Sequence, residues 1–382
     1  MTGRPRSTVR LAVGALAVAH GAAHLLVLAA APGGPGLAGD AAPPAVGSAE
    51  GLAWLATAVL LIGAGAALIA DRPTWWRTGA VAVVASQVLV VSHGDARWGT
   101  LANVVLGIAV LHGWCATGHR SARARYRRGV AAALAAADVR ADADRAGAVT
   151  ADDLATLPAA VARYLRRTGS VGRPPVTAVR VTLHGRIRSG PSDRWMTFTG
   201  EQVDTAGPRP TRHFLLDATA AGLPVDVLHV LTEGRATMRG DLLSVVPVLR
   251  GAGPAMDRSE TVTLFNDLCL MAPSALLAAP VTWEELDARR VRGTYRQGGH
   301  SVRAVLEFDE DGDLVDFVSD DRFRATRDGR SFTRERWSTP VDGYAVHHGR
   351  RLPSAAAAMW HPSTGEPFRY AEMVLDDVAP AR

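Results

Sequence analysis

The sequence contains no lysine, and all 42 of its basic residues are arginines. It has only two cysteines, Cys115 and Cys269, in 382 residues. The absence of lysine excludes a Gly-x-x-x-x-Gly-Lys phosphate loop, and the shortage of cysteine excludes a disulfide-rich fold. The sequence also lacks a Gly-x-Ser-x-Gly elbow and a His-Glu-x-x-His zinc helix, so no catalytic motif indicates an enzyme and that question stays open.

Acidic residues are scarce in the first third of the chain. Residues 1–130 hold eleven arginines against four acids, a net charge of +7, whereas residues 131–382 hold 31 arginines against 33 acids, a net of −2. The overall excess of +5 therefore belongs to the segment that also contains the long apolar runs. This distribution is typical of membrane segments and argues against nucleic acid as a partner.

Four apolar runs predict a transmembrane domain over residues 1–119. The predicted spans are residues 11–31, 51–70, 78–92 and 101–117, and the first two have the full length needed to cross a bilayer. Arginines are concentrated in three segments: the N-terminus, the link between the second and third spans, and the segment after the fourth span. By the positive-inside rule, the N-terminus and the C-terminal domain are both predicted on the cytoplasmic side of the cytoplasmic membrane.

Histidines lie within these predicted spans. His20 and His24 are one helical turn apart in the first span, and His93 and Asp95 follow the third. A rise of about 1.5 Å per residue places all four at a similar depth, towards the outer half of the membrane. They predict a metal or haem site, with the identity of the cofactor unknown. Hydrogen bonding of neutral histidines between helices explains the same residues more simply.

Residues 120–170 predict a basic and helical connector. Residues 129–140 are rich in alanine, residues 142–149 are small and polar, and residues 152–167 resume a helical spacing of apolar positions. The arginines of Arg120–Arg128 could contact anionic lipid head groups, although a flank that orients the last span explains them more simply.

The periodicity changes from helix to strand in residues 171–382. The first strand alternates apolar and polar residues over 179–188, and Asp311-Gly312 predicts a hairpin turn between strands 302–308 and 314–318. Further strand candidates are 194–203, 212–218, 289–297, 323–326, 331–338, 354–360 and 368–376. The short connections predict an antiparallel, curved sheet with helices packed on it, so the fold class is α+β.

One helix interrupts the strands. An apolar stripe that includes Phe265 predicts a helix over residues 259–271. If that helix closes a cavity, the candidate ligand-cavity residues are Phe265, Asn266, Asp267 and Trp283. An exposed polar face of the helix explains Asn266 and Asp267 more simply, and core packing explains Trp283.

Two motifs carry a resemblance to a known family. They are Phe265-Asn-Asp-Leu-Cys-Leu-Met-Ala-Pro-Ser-Ala-Leu-Leu277 and Asp95-Ala-Arg-Trp-Gly-Thr-Leu-Ala-Asn103. Both resemble an uncharacterised bacterial membrane-protein family, a domain of unknown function, which implies no established activity. The strand-rich layout is more distantly similar to the lipoprotein-carrier fold of bacterial envelopes, an open half-barrel with helices over its mouth. That similarity implies a strongly curved sheet, an apolar cavity and a location outside the cytoplasmic membrane, whereas the arginine count predicts the cytoplasmic side.

Different classes of function follow from these predictions. The favoured hypothesis is a membrane-anchored protein whose C-terminal β domain binds an apolar or lipid-like ligand, with the lipid bilayer as its other partner. The alternatives are a membrane metal or haem redox protein that uses the intramembrane histidines, and a non-catalytic scaffold. Protein partners are left open. A void inside the sheet favours the first hypothesis, and a filled interior argues against it.

Overall fold

The computed structural model describes residues 5–29, 49–92, 97–141, 147–326 and 330–381. The chain divides into two compact units, a helical one built from residues 1–124 and a larger one that comprises most of residues 125–382. In the described residues the helices are α1 Pro5–Ala29, α2 Ala49–Ile69, α3 Trp75–Ser92, α4 Arg97–Thr117, α5 Ala122–Ala141, α6 Ala159–Arg167 and α7 Pro254–Met271, with 3₁₀ helices at Asp152–Thr156 and Pro273–Leu277.

The described strands all belong to the C-terminal part of the chain. They are β1 Ala178–Ile187, β2 Met196–Thr205, β3 Thr211–Ala220, β4 Leu223–Thr232, β5 Arg235–Leu242, β6 Val246–Ala252, β7 Val281–Glu285, β8 Arg290–Gln297, β9 His300–Phe308, β10 Leu314–Ser319, β11 Phe323–Ala325, β12 Phe332–Arg334, β13 Arg336–Ser338, β14 Val341–His347, β15 Arg350–His361 and β16 Phe368–Pro380.

Four helical stretches are long and apolar enough to cross a membrane. They are Thr8–Val27, Ala49–Ile69, Trp75–Ser92 and Trp98–Ala137, the last of which includes α4 and most of α5. Each overlaps one predicted span. The apolar Leu26 and Val84 are 62% and 65% exposed, whereas the polar His24 and Asn103 are buried. Apolar side chains outside and polar ones inside fit a membrane protein.

Small residues bring α1 and α2 into close contact. A Cβ atom on Gly65 would lie 2.6 Å from the carbonyl oxygen of Gly14, and one on Gly21 would lie 2.9 Å from that of Ala58. Helices in lipid associate through such close backbone packing. Burying apolar side chains between them stabilises the pair little, because the surrounding lipid tails are equally apolar. The turn predicted between the third and fourth spans lies mostly outside the described residues.

An antiparallel sheet of fourteen strands dominates the described part of the second unit, which confirms the predicted sheet. The strand order along its main path is β6-β5-β4-β3-β2-β1-β16-β15-β13-β10-β9-β8-β7, and β14 pairs with β15. β11 and β12 form a separate pair. Strands β1 to β6 are consecutive neighbours, as are β7 to β10, so two meanders meet around β15 and β16.

The sequence predicts some strands and misses others. β1, β9 and β10 lie where the alternation places them, and Gly312 turns between the last two with φ +92°. The predicted strand 331–338 is divided between β12 and β13, which lie in separate sheets. The prediction missed β4 to β7 and β14. On β4, Leu228 and Val230 on one face are apolar, and so is Val227 on the opposite face. The strand therefore lacks the alternation of polar and apolar residues that would have identified it.

α7 and the 3₁₀ helix after it join the two ends of the strand path. β6 precedes α7 and β7 follows the 3₁₀ helix, and these are the two terminal strands of the path. α7 contacts β5 of one meander, β9 of the other, and β15 between them. Every residue from Ser259 to Met271 is buried. The exposed polar face that the sequence favours for this helix is therefore wrong, because neighbouring elements cover the helix on all sides.

Two glycine turns from opposite parts of the sheet touch each other. Gly234, in the turn between β4 and β5, has φ +74°, and Gly298, in the turn between β8 and β9, has φ +57°. A Cβ atom on Gly234 would lie 2.6 Å from the Cα atom of Gly298, and one on Gly298 would overlap Gly234. Nearby, Gln297 Nε2 donates a hydrogen bond to the carbonyl oxygen of Pro208 at 3.2 Å. Both the left-handed backbone and the lack of space require glycine.

We expect Gly298→Ala to destabilise the protein more than Gly299→Ala. Both glycines have positive φ, +57° and +81°, so each alanine costs about 1–2 kcal/mol of backbone strain. Only at Gly298 must a Cβ atom also displace another backbone, because no atom lies within 4 Å of the Cβ position at Gly299. That overlap adds about 1–3 kcal/mol. Thermal unfolding of the detergent-purified chain measures the difference, and equal shifts in Tm would contradict the contact.

Candidate functional site

A cavity of about 340 Å³ lies between α7 and one face of the sheet. Phe214, Leu216 and Ala218 of β3 line it at alternate positions, because successive side chains of a strand point to opposite faces. α7 contributes Met256 and Leu270 from the other side. The interior of the second unit is therefore not completely filled.

Methionines are concentrated around this cavity. Five of the seven methionines of the chain line it, namely Met196, Met238, Met256, Met271 and Met373. A methionine side chain is unbranched and its sulfur is polarizable, so it adapts to contacts of different shape. The apolar wall of the cavity can thus change its shape.

A buried arginine dominates the polar part of the wall. Arg212 of β3 donates from Nε to Asp267 Oδ2 at 2.7 Å and from Nη1 to Glu260 Oε2 at 3.1 Å. All three side chains are less than 10% exposed. Burial opposes the charge of the guanidinium, but Asp267, Glu260 and Asp204 together raise the pKa of Arg212 above its ordinary value. Arg212 therefore stays charged.

Gln202 connects the arginine to a second carboxyl group. Its Oε1 accepts a hydrogen bond from Arg212 Nη2 at 3.3 Å, and its Nε2 donates to Asp267 at 2.8 Å and to Asp204 at 2.6 Å. Burial and the neighbouring Asp267 raise the pKa of Asp204 well above its usual range. Burial also raises the pKa of Asp267, and of the two carboxyl groups it is Asp204 that has no direct hydrogen bond to a cation among the described residues.

Glu260 lies between two arginines and a histidine. Its Oε1 is 3.8 Å from Arg322 Nη2 and 3.9 Å from His229 Nδ1, in addition to the bond that Oε2 makes with Arg212. Burial alone would raise the pKa of Glu260, but Arg212, His229 and Arg322 lower it to about 2. Ionised Glu260 thus stabilises the fold at neutral pH, and this contribution is lost as the pH falls from its ordinary pKa towards 2.

Aromatic side chains position Arg322. Its Cζ atom lies 4.1 Å from the ring centroid of Trp337, a cation–π geometry, and its Nη1 donates to Tyr370 Oη at 3.0 Å. Trp337 Nε1 donates to the same hydroxyl at 3.2 Å. Arg322, Trp337 and Tyr370 all line the cavity, so this group is a second polar part of its wall.

The structure places the four predicted cavity residues in two environments. Asn266 and Asp267 line the cavity and are buried. Phe265 and Trp283 are not among the lining residues. Phe265 packs instead in the core, with its ring centroid 5.2 Å from that of Tyr295 and 6.2 Å from that of Trp283. Phe265 thus lies on the other side of α7, where its ring contacts Trp283 of β7 and Tyr295 of β8.

Sequence analysis missed Arg212, Gln202 and the methionines. The sequence does contain a signal for the first two residues. Gln202 lies on the same face of β2 as Phe198, and Arg212 lies on the same face of β3 as Phe214. A polar residue at an inward position of a strand needs a buried partner. The partner, Asp267, lies 55 residues further along the chain, so only the fold reveals it.

His20 and His24 lie together in the first unit. Their ring centroids are 4.7 Å apart, and His24 Nδ1 donates to the carbonyl oxygen of His20 at 3.0 Å. His20 Nε2 lies 3.1 Å from Asn103 Oδ1 and 3.0 Å from Ser86 Oγ. Since Asn103 Oδ1 only accepts, His20 Nε2 carries the hydrogen and is not available to a metal in this arrangement.

The predicted metal or haem site is not tested by this geometry. His93 and Asp95 lie outside the described residues. Within the ranges that are described, no group of three His, Cys, Asp or Glu side chains could hold a metal ion. The hydrogen bonds of His20 fit the simpler explanation by interhelical bonding, and the metal or haem site stays a prediction.

Comparison with known proteins gives a family but no activity. Residues 147–373 match the model of a family of unknown function, DUF6544. No curated protein matches the sequence. The predicted resemblance to a family of unknown function is thus confirmed.

Three crystal structures are distantly similar to the chain. An outer membrane lipoprotein-sorting protein domain from Vibrio parahaemolyticus is 12% identical, with a TM-score of 0.30 over 53% of this chain and 84% of its own. A DUF1329 family protein from Desulfovibrio piger is 11% identical, with a TM-score of 0.32 over 58% and 90%. A LolA superfamily protein from Nitrosomonas europaea is 11% identical, with a TM-score of 0.32 over 62% and 95%. They match the predicted distant resemblance, but similarity at this level carries no argument about function.

We expect Arg212→Met to destabilise the second unit by about 3–5 kcal/mol, because it leaves Glu260 and Asp267 buried without their main counter-charge. Arg290→Met is the control. It removes an exposed pair with Asp287, at 2.7 Å, and should cost less than about 1 kcal/mol. Thermal unfolding of the purified chain compares the two variants. Similar small losses would show that Arg212 does not carry the buried charge network.

Proposed function

The chain belongs to DUF6544, a family of unknown function, and we propose that it is a membrane-anchored protein whose second unit binds one apolar or lipid-like ligand. The observation that carries this proposal is the cavity of about 340 Å³ beside α7, with its wall of five methionines. A scaffold without a ligand has no need of an adaptable void, since closing it would increase stability.

We propose that the sheet curves around α7 as a half-barrel. The contact between Gly234 and Gly298, from turns far apart in the strand order, supports this curvature. So do the contacts of α7 with β5, β9 and β15, which lie far apart along the same path.

The cavity favours one slender or compact apolar ligand. Its volume is at the lower end of the roughly 300–1,000 Å³ that is usual for small-molecule sites, which suits a single acyl chain better than a lipid with two chains. Arg212 and Glu260 already hydrogen-bond within the protein. A ligand therefore does not need to supply a charge, although a neutral polar group could contact Arg322 or Tyr370 at the wall.

The helical unit provides the anchor, and we propose that the C-terminal domain lies on the cytoplasmic side. Four stretches are long and apolar enough to cross a membrane. The links on the side of the N-terminus carry Arg72, Arg77 and the Arg120–Arg128 cluster, whereas residues 32–50 carry no arginine. The asymmetry of arginine supports this orientation.

We expect the wild-type chain to copurify with one apolar molecule in the cavity, and Ala218→Phe to reduce its occupancy by about tenfold or more, because the ring fills space beside a lining residue. Val346→Phe places the same ring at a position that is 70% exposed and should leave occupancy unchanged. Native mass spectrometry of the detergent-purified chain, followed by solvent extraction, measures the bound molecule.

Lipids held by the helical unit are common to all three proteins and cancel in this comparison. If Ala218→Phe fails to fold, Phe198→Ala is the second variant, and it should shift the bound population towards larger ligands, because Phe198 also lines the cavity. Equal ligand content in the wild type, Ala218→Phe and Phe198→Ala would contradict the proposal.

Orientation is tested separately by reporter fusions after Arg382. We expect a green fluorescent protein fusion to fluoresce and an alkaline phosphatase fusion to be inactive in a bacterial host, since the positive-inside rule places this end in the cytoplasm. The opposite pair of results would place the domain outside and leave the ligand proposal standing.

A further inference from the structure

A groove with four arginines lies between α5 and strands β3 to β6 of the second unit. Its volume is about 710 Å³, and the arginines are Arg125 of α5, Arg239 of β5, Arg250 of β6 and Arg330. α5 packs so closely on β3 that a Cβ atom on Gly129 would lie 2.6 Å from His213 Nε2. Packed elements therefore fix the walls, which distinguishes the groove from a flexible basic segment.

Three of these arginines converge on one carboxylate, that of Asp241. Arg239 Nε lies 2.7 Å from its Oδ2, Arg250 Nη1 lies 3.5 Å from its Oδ1, and Arg125 Nη2 lies 3.8 Å from its Oδ2. Arg239 and Arg250 are also directly opposite each other in the pairing of β5 with β6. Like charges at such positions repel, and one carboxylate cannot balance three guanidinium groups.

Positive charge remains after the neighbouring acid is counted. Asp226 lies opposite Asp241 in the pairing of β4 with β5, so Arg125, Arg239 and Arg250 face two carboxylates and one positive charge is left over. A guanidinium has five N–H donors, and Asp241 occupies few of them. The side chains of Arg239 and Arg250 are 43% and 46% exposed, so their remaining donors can reach a ligand in the groove.

We propose that this groove binds a phosphate group through Arg125, Arg239 and Arg250. A phosphate group carries at least one negative charge at neutral pH, which is opposite in sign to the excess, and guanidinium groups bind its oxygens with paired donors. A soluble phosphate compound and the head group of an anionic phospholipid present the same oxygens. The groove shares no charged residue with the cavity, so this proposal does not depend on the proposed function.

The test uses the detergent-purified full chain and two probes. Inorganic phosphate is measured by equilibrium dialysis at constant ionic strength, and phosphatidylglycerol by native mass spectrometry. We expect the wild type to bind one equivalent of at least one probe, and Arg239→Gln and Arg250→Gln each to weaken that binding by about tenfold or more. Arg292→Gln is the control, because Arg292 is similarly exposed on β8 and pairs with Glu284.

The two probes separate the sources of the phosphate. Binding of inorganic phosphate that the two groove variants lose supports a soluble ligand, and binding of phosphatidylglycerol alone, lost in the same way, supports a lipid head group. The groove variants should fold, since each removes one of two opposed like charges, and thermal unfolding verifies this. A folded wild type that binds neither probe, or equal binding by the wild type, Arg239→Gln and Arg250→Gln, would overturn the proposal.

Discussion

Helix α7, with the 3₁₀ helix after it, joins the two end strands of the sheet and is buried from Ser259 to Met271, and the chemistry of the second unit depends on that burial. The helix satisfies its own backbone hydrogen bonds, but it carries Glu260 and Asp267 into the interior, where an unpaired carboxylate costs several kcal/mol. Arg212 of β3 supplies the counter-charge to both, and Gln202 orients the remaining groups. The position of α7 thus explains why polar residues occur at inward positions of β2 and β3.

The same network decides what kind of ligand suits the cavity. Arg212 hydrogen-bonds both Glu260 and Asp267, and Glu260 also lies 3.8 Å from Arg322, so the buried arginines and carboxyl groups already have partners of opposite charge. A balanced network exerts little attraction on an ion, because an added charge would pay for its own desolvation without a free partner. Selection of the proposed ligand would then rest on shape and apolar contact, which the flexible methionine side chains provide.

The periodicity of polar and apolar residues predicted the strands that have one face exposed to solvent. β1, β9 and β10 were predictable because polar and apolar residues alternate, whereas β4 was not, because Leu228 and Val230 on one face are as apolar as Val227 on the other. The apolar stripe of α7 was predictable for Phe265, but the burial of Asn266 and Asp267 was not, since it depends on strands that lie 50 or more residues away. The void itself results from the packing of many distant residues, and no local pattern indicates it.

Strand alternation separates the two proposed sites. On β3, Arg212 and Phe214 line the cavity, whereas His213 between them lines the arginine groove. On β4, Val227 lines the cavity and Leu228 lines the groove. Neighbouring residues thus face different sites across one layer of backbone. A ligand that shifts β3 or β4 on one face must also move the wall on the other, because a packed sheet does not deform one face at a time. The fold therefore offers a direct physical route by which binding of a phosphate group in the groove and of an apolar molecule in the cavity could influence each other.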